Sequence, residues 1–453
     1  MSVVHSVKVV VNINFSDGRT KELILDQTSS QSVAGEVLTR CEISRKLSKE
    51  DNMPVGNVCA NNIIIKILSE GELIPDNTQS IYYGYMDNTA VLTVTITDAL
   101  GNIDFGVYFV DSWIGTVSSS SATEVSIDAY DIFSIVGKGK TLGNMMPLNT
   151  LTKDYVIMLI DELNEGRDDK YKIKYRTSDL NFGKYSNMQC CGGIGSSTLY
   201  DALNTISQCT LTNIFIDRDN YIKTIDCLDS STVSVGELSD CTNTFKAETQ
   251  SGTLVNYDDV NVKYIMANLS EIETLFELQS TYTDGEYFNI DTGCNLERVV
   301  DVQVSEEDGT TELDGTLNYL KYTRDKLDMQ IDDVEVDRDI IIKINGIKVN
   351  EITKETGIAK TSNNELSVSN PIIKQNMIGE YRTDLLTLIK MKNKSLLVKG
   401  FIDPRLKVGD VVHVDVERTI GISGYYRIIE ENWEFESTSN GTFILSEITT
   451  GGE

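Results

Sequence analysis

Apolar side chains recur at every second position over much of the chain. Val7, Val9, Val11 and Ile13 lead into an Asp17-Gly18 turn, residues 62–68 and 90–97 are rich in β-branched side chains, and 105–113 continue the pattern. Residues 1 to about 138 are therefore expected to be β-sheet almost throughout. From about 139 the period lengthens. In 153–164, Val156, Leu159, Ile160 and Leu163 share one helical face and Gly166 follows as a stop signal. In 196–210, Leu199, Leu203 and Ile206 form a second stripe, with Ser196 or Ser197 placed to cap it. Segments 213–216 and 221–225 read as a hairpin whose turn contains Asn220, a residue that accepts positive φ.

Alternation returns at 256–264, where Val260, Val262 and Tyr264 lie on one face. Residues 266–369 are dense in Asp and Glu, with short strands expected at 298–304 and 340–344, a turn at Gly346 and a helix at 317–328. Asn370-Pro371 is expected to cap and open a helix whose stripe is Met377, Tyr381, Leu385 and Leu388. Beyond it, Asp403-Pro404 starts a turn and Gly409-Asp410 launches a strand in which Val412, Val414 and Val416 alternate with His413 and Asp415. Gly421 and Gly424 close a loop. Tyr425, Arg427, Ile429, Glu431, Trp433 and Phe435 are expected on one side of a returning strand, and Asn440-Gly441 as the hairpin turn into a partner strand at 442–448. A small antiparallel barrel or curled sheet results.

At 453 residues the chain is too long for one core, so two to four domains are expected. Its formal charge of −29 argues against sequence-independent nucleic-acid binding, which needs a surplus of Lys and Arg. Such a surface repels DNA and also keeps a protein soluble. No run of eighteen apolar residues occurs, and the N-terminus is expected to be a first strand, not a signal peptide.

The eight cysteines include no C-x-x-C pair, and His5 and His413 are the two histidines, which disfavours a zinc site. The thiols are expected to be reduced and partly buried. Nucleophilic catalysis needs a histidine near its nucleophile, and His413 lies opposite the apolar face of its strand. Paired carboxylates for glycoside hydrolysis cannot be singled out among 69 Asp and Glu. The glycine-rich run at 190–195 lacks the Lys-Ser/Thr of a phosphate loop, and the acidic run at 328–339 lacks calcium-loop spacing, so each reads as backbone freedom and a solvated face.

One block carries a resemblance. Gly400, Asp403, Pro404, Leu406, Gly409, Asp410 and Val412, followed by a tyrosine-rich strand and a closing hairpin, resemble the C-terminal barrel of bacteriophage tail hub proteins. Asn370-Pro371 directly before that block, the ending Ala129, Tyr130, Asp131 and Phe133, and the helix-then-hairpin at 196–225 are similar to the same family. The resemblance implies a mainly β (α+β) fold with two tail-tube-like antiparallel β-barrels, an inserted small α/β domain and an acidic β-rich insertion. Residues 1–138 would form the first barrel and 139–249 the α/β domain. Residues 250–265 with 370–453 would form the second barrel, including a helix at 371–392, and 266–369 the insertion.

It further implies a non-enzymatic structural hub without cofactor or metal. Three copies would form a ring joining a six-fold tail tube to a three-fold central spike in a virion baseplate assembled in the bacterial cytoplasm. The expected partners are further copies of the chain, the tail tube protein and the central spike protein, with the tape measure and other baseplate proteins beside them. Neither sequence-specific nucleic-acid binding nor a membrane span is expected. Two alternatives stand: a peripheral baseplate protein that binds host carbohydrate or receptor through 266–369, where Tyr282, Tyr287 and Phe288 cluster, and a tail-associated cell-wall hydrolase.

Overall fold

Seven strands follow from the alternating segments at the start of the chain: β1 (Lys8–Asn14), β2 (Thr20–Asp26), β3 (Val37–Lys46), β4 (Asn62–Ser69), β5 (Val91–Asp98), β6 (Gly101–Val117) and β7 (Thr123–Tyr130). They pair in the order β3-β4-β7-β6-β5-β1-β2, antiparallel throughout. One residue in two points inward, so Val9, Val11, Ile13, Ile63, Ile65, Ile67, Ile96 and Ile127 are removed from water. β2 comes back against β3 without a ladder between them among the described residues. The computed structural model describes residues 7–27, 35–47, 56, 58–117, 123–136, 150–186, 198–240, 243–251, 257–282, 287–307, 309, 311, 313, 316–322, 326–332, 338–356, 364–392 and 394–448.

Next come α1 (Ile132–Val136), α2 (Thr152–Asn164), β8 (Lys174–Tyr175), α3 (Leu199–Thr210), β9 (Thr212–Ile216) and β10 (Tyr221–Asp226). The two apolar stripes read from the sequence are buried together with this hairpin. Gly166 follows α2 at φ +70°, and Asn220 takes φ +63° in the hairpin turn. The cap of α3 is Thr198, whose hydroxyl accepts from Asp201 N at 3.1 Å; Ser196 and Ser197 lie outside the described residues.

β11 (Gly236–Ser239) and β12 (Thr244–Ser251) then enter the large sheet, before β13 (Asp259–Leu269) leaves it. This corrects the expectation for 250–265. β13 pairs in parallel with β20 (Glu365–Asn370) and antiparallel with β19 (Arg338–Glu355), and Val260, Val262 and Tyr264 pack in the core of the helices. Between them lie β14 (Glu273–Tyr282), β15 (Tyr287–Asp291), β16 (Leu296–Glu306), β17 (Thr316–Tyr322) and β18 (Lys326–Asp332). β19 runs with its first half between β14 and β16 and its second half on β13. A separate core gathers Phe288, Ile290, Leu327, Met329, Ile331, Ile340, Ile342 and Ile344. The helix expected at 317–328 is instead the β17–β18 pair, because Leu327, Met329 and Ile331 bury with period two. Gly346 is not a turn: it sits within β19, where a Cβ would overlap Leu275 and the backbone of β16 at Arg298.

The last elements are α4 (Ile378–Lys392), β21 (Lys394–Gly400), β22 (Val411–Val416), α5 (Glu417–Ile420), β23 (Ile422–Phe435) and β24 (Ser439–Glu447). The helix expected from 371 begins at 378, after a single 3₁₀ turn at Gln375–Met377. Asn370 caps the intervening turn instead, its Oδ1 accepting from Ile372 N (3.2 Å) and Ile373 N (3.0 Å). Tyr381, Leu385 and Leu388 do form a buried stripe, in the core with α2 and α3 and not with the barrels.

The second curl has β12-β21-β24-β23 in order, with β22 on β23 and β11 parallel to β22. β23 also pairs with β3, from Glu430↔Lys46 to Phe435↔Cys41, so the two curls are one thirteen-stranded sheet of described strands over one continuous core. A bulge between Ile428 and Glu430 resets the alternation of β23. Tyr426 and Ile428 face inward before it and Glu431, Trp433 and Phe435 after it, which corrects the single face expected for 425–435. Asn440-Gly441 is not the hairpin turn either. The chain reverses at 436–438, where Glu436 N donates to Thr438 O (3.1 Å). Gly441 lies opposite Trp433, and a Cβ there would stand 3.1 Å from the indole and 3.2 Å from Ile402. Glycine is present for packing. Among the described residues no helix is long and apolar enough to cross a membrane.

Candidate functional site

Three parts of the fold meet at the β3–β23 seam. The β9–β10 turn is built by Asp217, whose Oδ1 accepts from Asp219 N and Tyr221 N, both at 2.9 Å. This turn carries Arg218 into the seam. There it donates to Glu431 Oε2 (2.8 Å) and to the carbonyls of Pro404 and Leu406 (2.9 Å to the latter), with its guanidinium 4.0 Å from the Phe105 ring centroid. Arg45 arrives from β3. It donates to Phe105 O (2.6 Å) and Tyr108 Oη (2.8 Å), and its Nε stands 3.6 Å from Glu431 Oε1. Gly106, at φ +116°, leaves the room this guanidinium occupies.

Glu431 is fully buried and both arginines nearly so. Two buried cations around one carboxylate hold each other only while all three are present. Burial pushes the Tyr108 hydroxyl up to about 12, against the opposing pull of Arg45. Burial alone would lower Arg45, yet the Tyr108 and Glu431 side chains leave it raised. Nearby, Asp131 accepts from Asn61 N (2.9 Å), Asn61 Nδ2 (2.8 Å) and Phe133 N (3.0 Å); burial pushes it up to about 6.

Seven of the nine residues singled out in the sequence lie together on one side of this seam. Gly400 pairs with Thr244 and Gly441, where any Cβ would overlap Asn243 O. Asp403 O accepts from Leu406 N (3.1 Å), which makes the turn that presents the Pro404 and Leu406 carbonyls to Arg218. Leu406 packs onto Gly236, whose Cβ would stand 2.8 Å from it. Gly409, at φ +93°, donates to Ile428 O (2.8 Å), while Asp410 Oδ2 accepts from Lys407 N (3.0 Å), and Val412 enters the core. Asn370 and Pro371 lie elsewhere, beside the helices, where Asn370 Nδ2 donates to Cys209 O (3.4 Å).

Sequence reading missed Arg45, Arg218 and the Arg405–Asp98 pair (2.6 and 2.7 Å), which ties the 403–406 turn to the β5–β6 hairpin. Glu431 alone carried a signal: a carboxylate in step with Trp433 and Phe435 on an apolar face.

The arrangement joins three parts of the fold. His413 lies on β22 against the Tyr425 ring, 5.2 Å between centroids, and among the described residues no three His, Cys, Asp or Glu groups converge as metal ligands. The glycine-rich run 190–195 lies outside the described residues.

Among the described strands, β2, β12 and β11 each have a ladder on one side. Along β11, Asn243 closes the later half by accepting from Ser239 N and donating to Glu237 O, both at 2.9 Å. The stretch before it carries Val233 and Val235, 78% and 63% exposed.

No family model matches the sequence, and no curated protein matches it. Solved structures do match in fold. A tail protein from Neisseria meningitidis MC58 superposes with a TM-score of 0.54 at 10% identity, over 97% of this chain and 96% of that one. The 43 kDa tail protein of prophage MuSo2 from Shewanella oneidensis gives 0.51 at 10% identity, over 97% and 98%. The mainly β chain, curled into one large sheet with a smaller α/β part, shares the fold of these two tail proteins.

Proposed function

We propose that the protein is a structural hub of a phage or phage-tail-like baseplate. One observation carries this reading: two curled sheets are fused through β3 and β23 and locked by the Arg45–Glu431–Arg218 cluster, so each chain supplies two barrels as one unit. Three such chains supply six, which matches a six-fold tail tube on one side and a three-fold spike on the other. No bond is made or broken in this role. The residues 400–412 act as a structural turn that seats the α/β hairpin on the second barrel. Residues 266–369, with their own core, form a distal unit for contact with spike or baseplate neighbours. Tube, spike and tape measure proteins are the partners, and the virion tail is the location.

Of the aromatics on which the carbohydrate-binding alternative rests, Phe288 is buried in the distal core while Tyr287 is exposed.

Light scattering on the purified chain mixed with its tail tube protein tests the proposal. A mass of three copies, with three-fold rings around a channel in negative stain, is expected. A monomer at micromolar concentration with tube protein present would refute it.

A further inference from the structure

A cavity of ≈ 30 Å³ lies within the seam, and its walls include Arg45, Asn61, Phe215, Asp217, Arg218 and Glu431. Apart from Asp217 Oδ2, which Lys223 Nζ approaches to 2.8 Å, three polar atoms of these side chains have no hydrogen-bond partner among the described residues: Arg45 Nε, Arg218 Nε and Glu431 Oε1. All three belong to side chains that are more than nine-tenths buried. Buried polar atoms left in this state are costly, and native proteins satisfy nearly all of them. Arg45 Nε and Glu431 Oε1 stand 3.6 Å apart, too far for a direct bond. That distance suits one bridging oxygen, since a point about 2.8–3.0 Å from both exists beside the line joining them.

We propose that this cavity is a binding site for a single internal water molecule, which accepts from the arginine Nε groups and donates to Glu431 Oε1. Size agrees, because one water needs only about 10–15 Å³ of accessible space. The competing occupant is a small anion. Arg45, Arg218, Lys223 and Lys407 line the cavity against Asp217 and Glu431, a formal excess of two positive charges that would draw one in. Two facts oppose it. Asp217 is already held by Lys223 at 2.8 Å, and Glu431 Oε1 only accepts, so an anion would offer it no proton and meet it as a like charge. A molecule that both donates and accepts satisfies all three atoms. The two barrels and the α/β hairpin are then joined through a shared solvent molecule as well as through direct ion pairs.

A high-resolution crystal structure of the wild-type protein grown with sodium bromide tests this site. The expected result is one density peak within hydrogen-bond distance of Arg45 Nε, Arg218 Nε and Glu431 Oε1 that refines as oxygen and gives no anomalous signal at the bromine edge. An anomalous bromide peak at that position, or a cavity without density, would overturn the proposal.

Discussion

Glu431→Gln isolates the charge at the seam, because glutamine keeps the shape of the side chain and one carbonyl acceptor. With an effective dielectric of about 20, a carboxylate 2.8 Å and 3.6 Å from two cations is attracted by about 6 and 5 kcal/mol before desolvation. Desolvation of three buried ions offsets most of that in the wild type. The variant keeps the cost for two arginines and loses the compensating charge, so the net loss should be about 3–5 kcal/mol. Urea unfolding followed by fluorescence measures it. Trp433 sits two residues from the substitution and is buried, and a Trp113→Phe background leaves it as the sole indole of the chain. Removing two of the three charges in Arg218→Met/Glu431→Leu should recover only part of the loss, since Arg45 would stay buried without its carboxylate and Pro404 O and Leu406 O would lose their donor. A Glu431→Gln loss below about 1 kcal/mol would show that the cluster does not hold the barrels together.

Two further perturbations follow from the same geometry. Burial raises Asp131 from its ordinary 3.8 to about 6, so between those values the folded chain keeps a proton that the unfolded chain has released. Stability should therefore fall as pH rises across that window, by on the order of 3 kcal/mol, and level off above it. Asp226 and Asp410, also raised by burial, add slope of the same sign. Urea midpoints measured against pH should flatten in Asp131→Asn, and an unchanged slope would contradict the assignment. Gly400→Ala should cost about 1–3 kcal/mol by forcing β12 away from β21 at Asn243, and thermal unfolding at wild-type midpoint would count against that close approach.

Period-two burial made β1, β4, β5 and β22 readable from their residues alone, and the stripes of α2, α3 and α4 were readable in the same way, because each element must hide one face wherever its partner comes from. The Asn220 turn was readable too, since local backbone preference is enough to set it. Misreadings came where a distant segment decided the local geometry. Asn440-Gly441 carries a hairpin signature, but Trp433 and Ile402 need that space, so the turn moved to 436–438. Gly346 and the 317–328 segment were overruled in the same manner, by the crossing of β16 and by pairing across β17 and β18.

The sequence alone determined that the chain is a mainly β protein with helical stripes in two places and a turn-rich block at 400–412. Tertiary structure alone decided that β3 pairs with β23, that β13 leaves the second barrel, and that Arg45, Arg218 and Glu431 meet. The physical reason is range. Periodicity records whether a side chain is buried, whereas the partner it is buried against lies hundreds of residues away and leaves no mark on its neighbours.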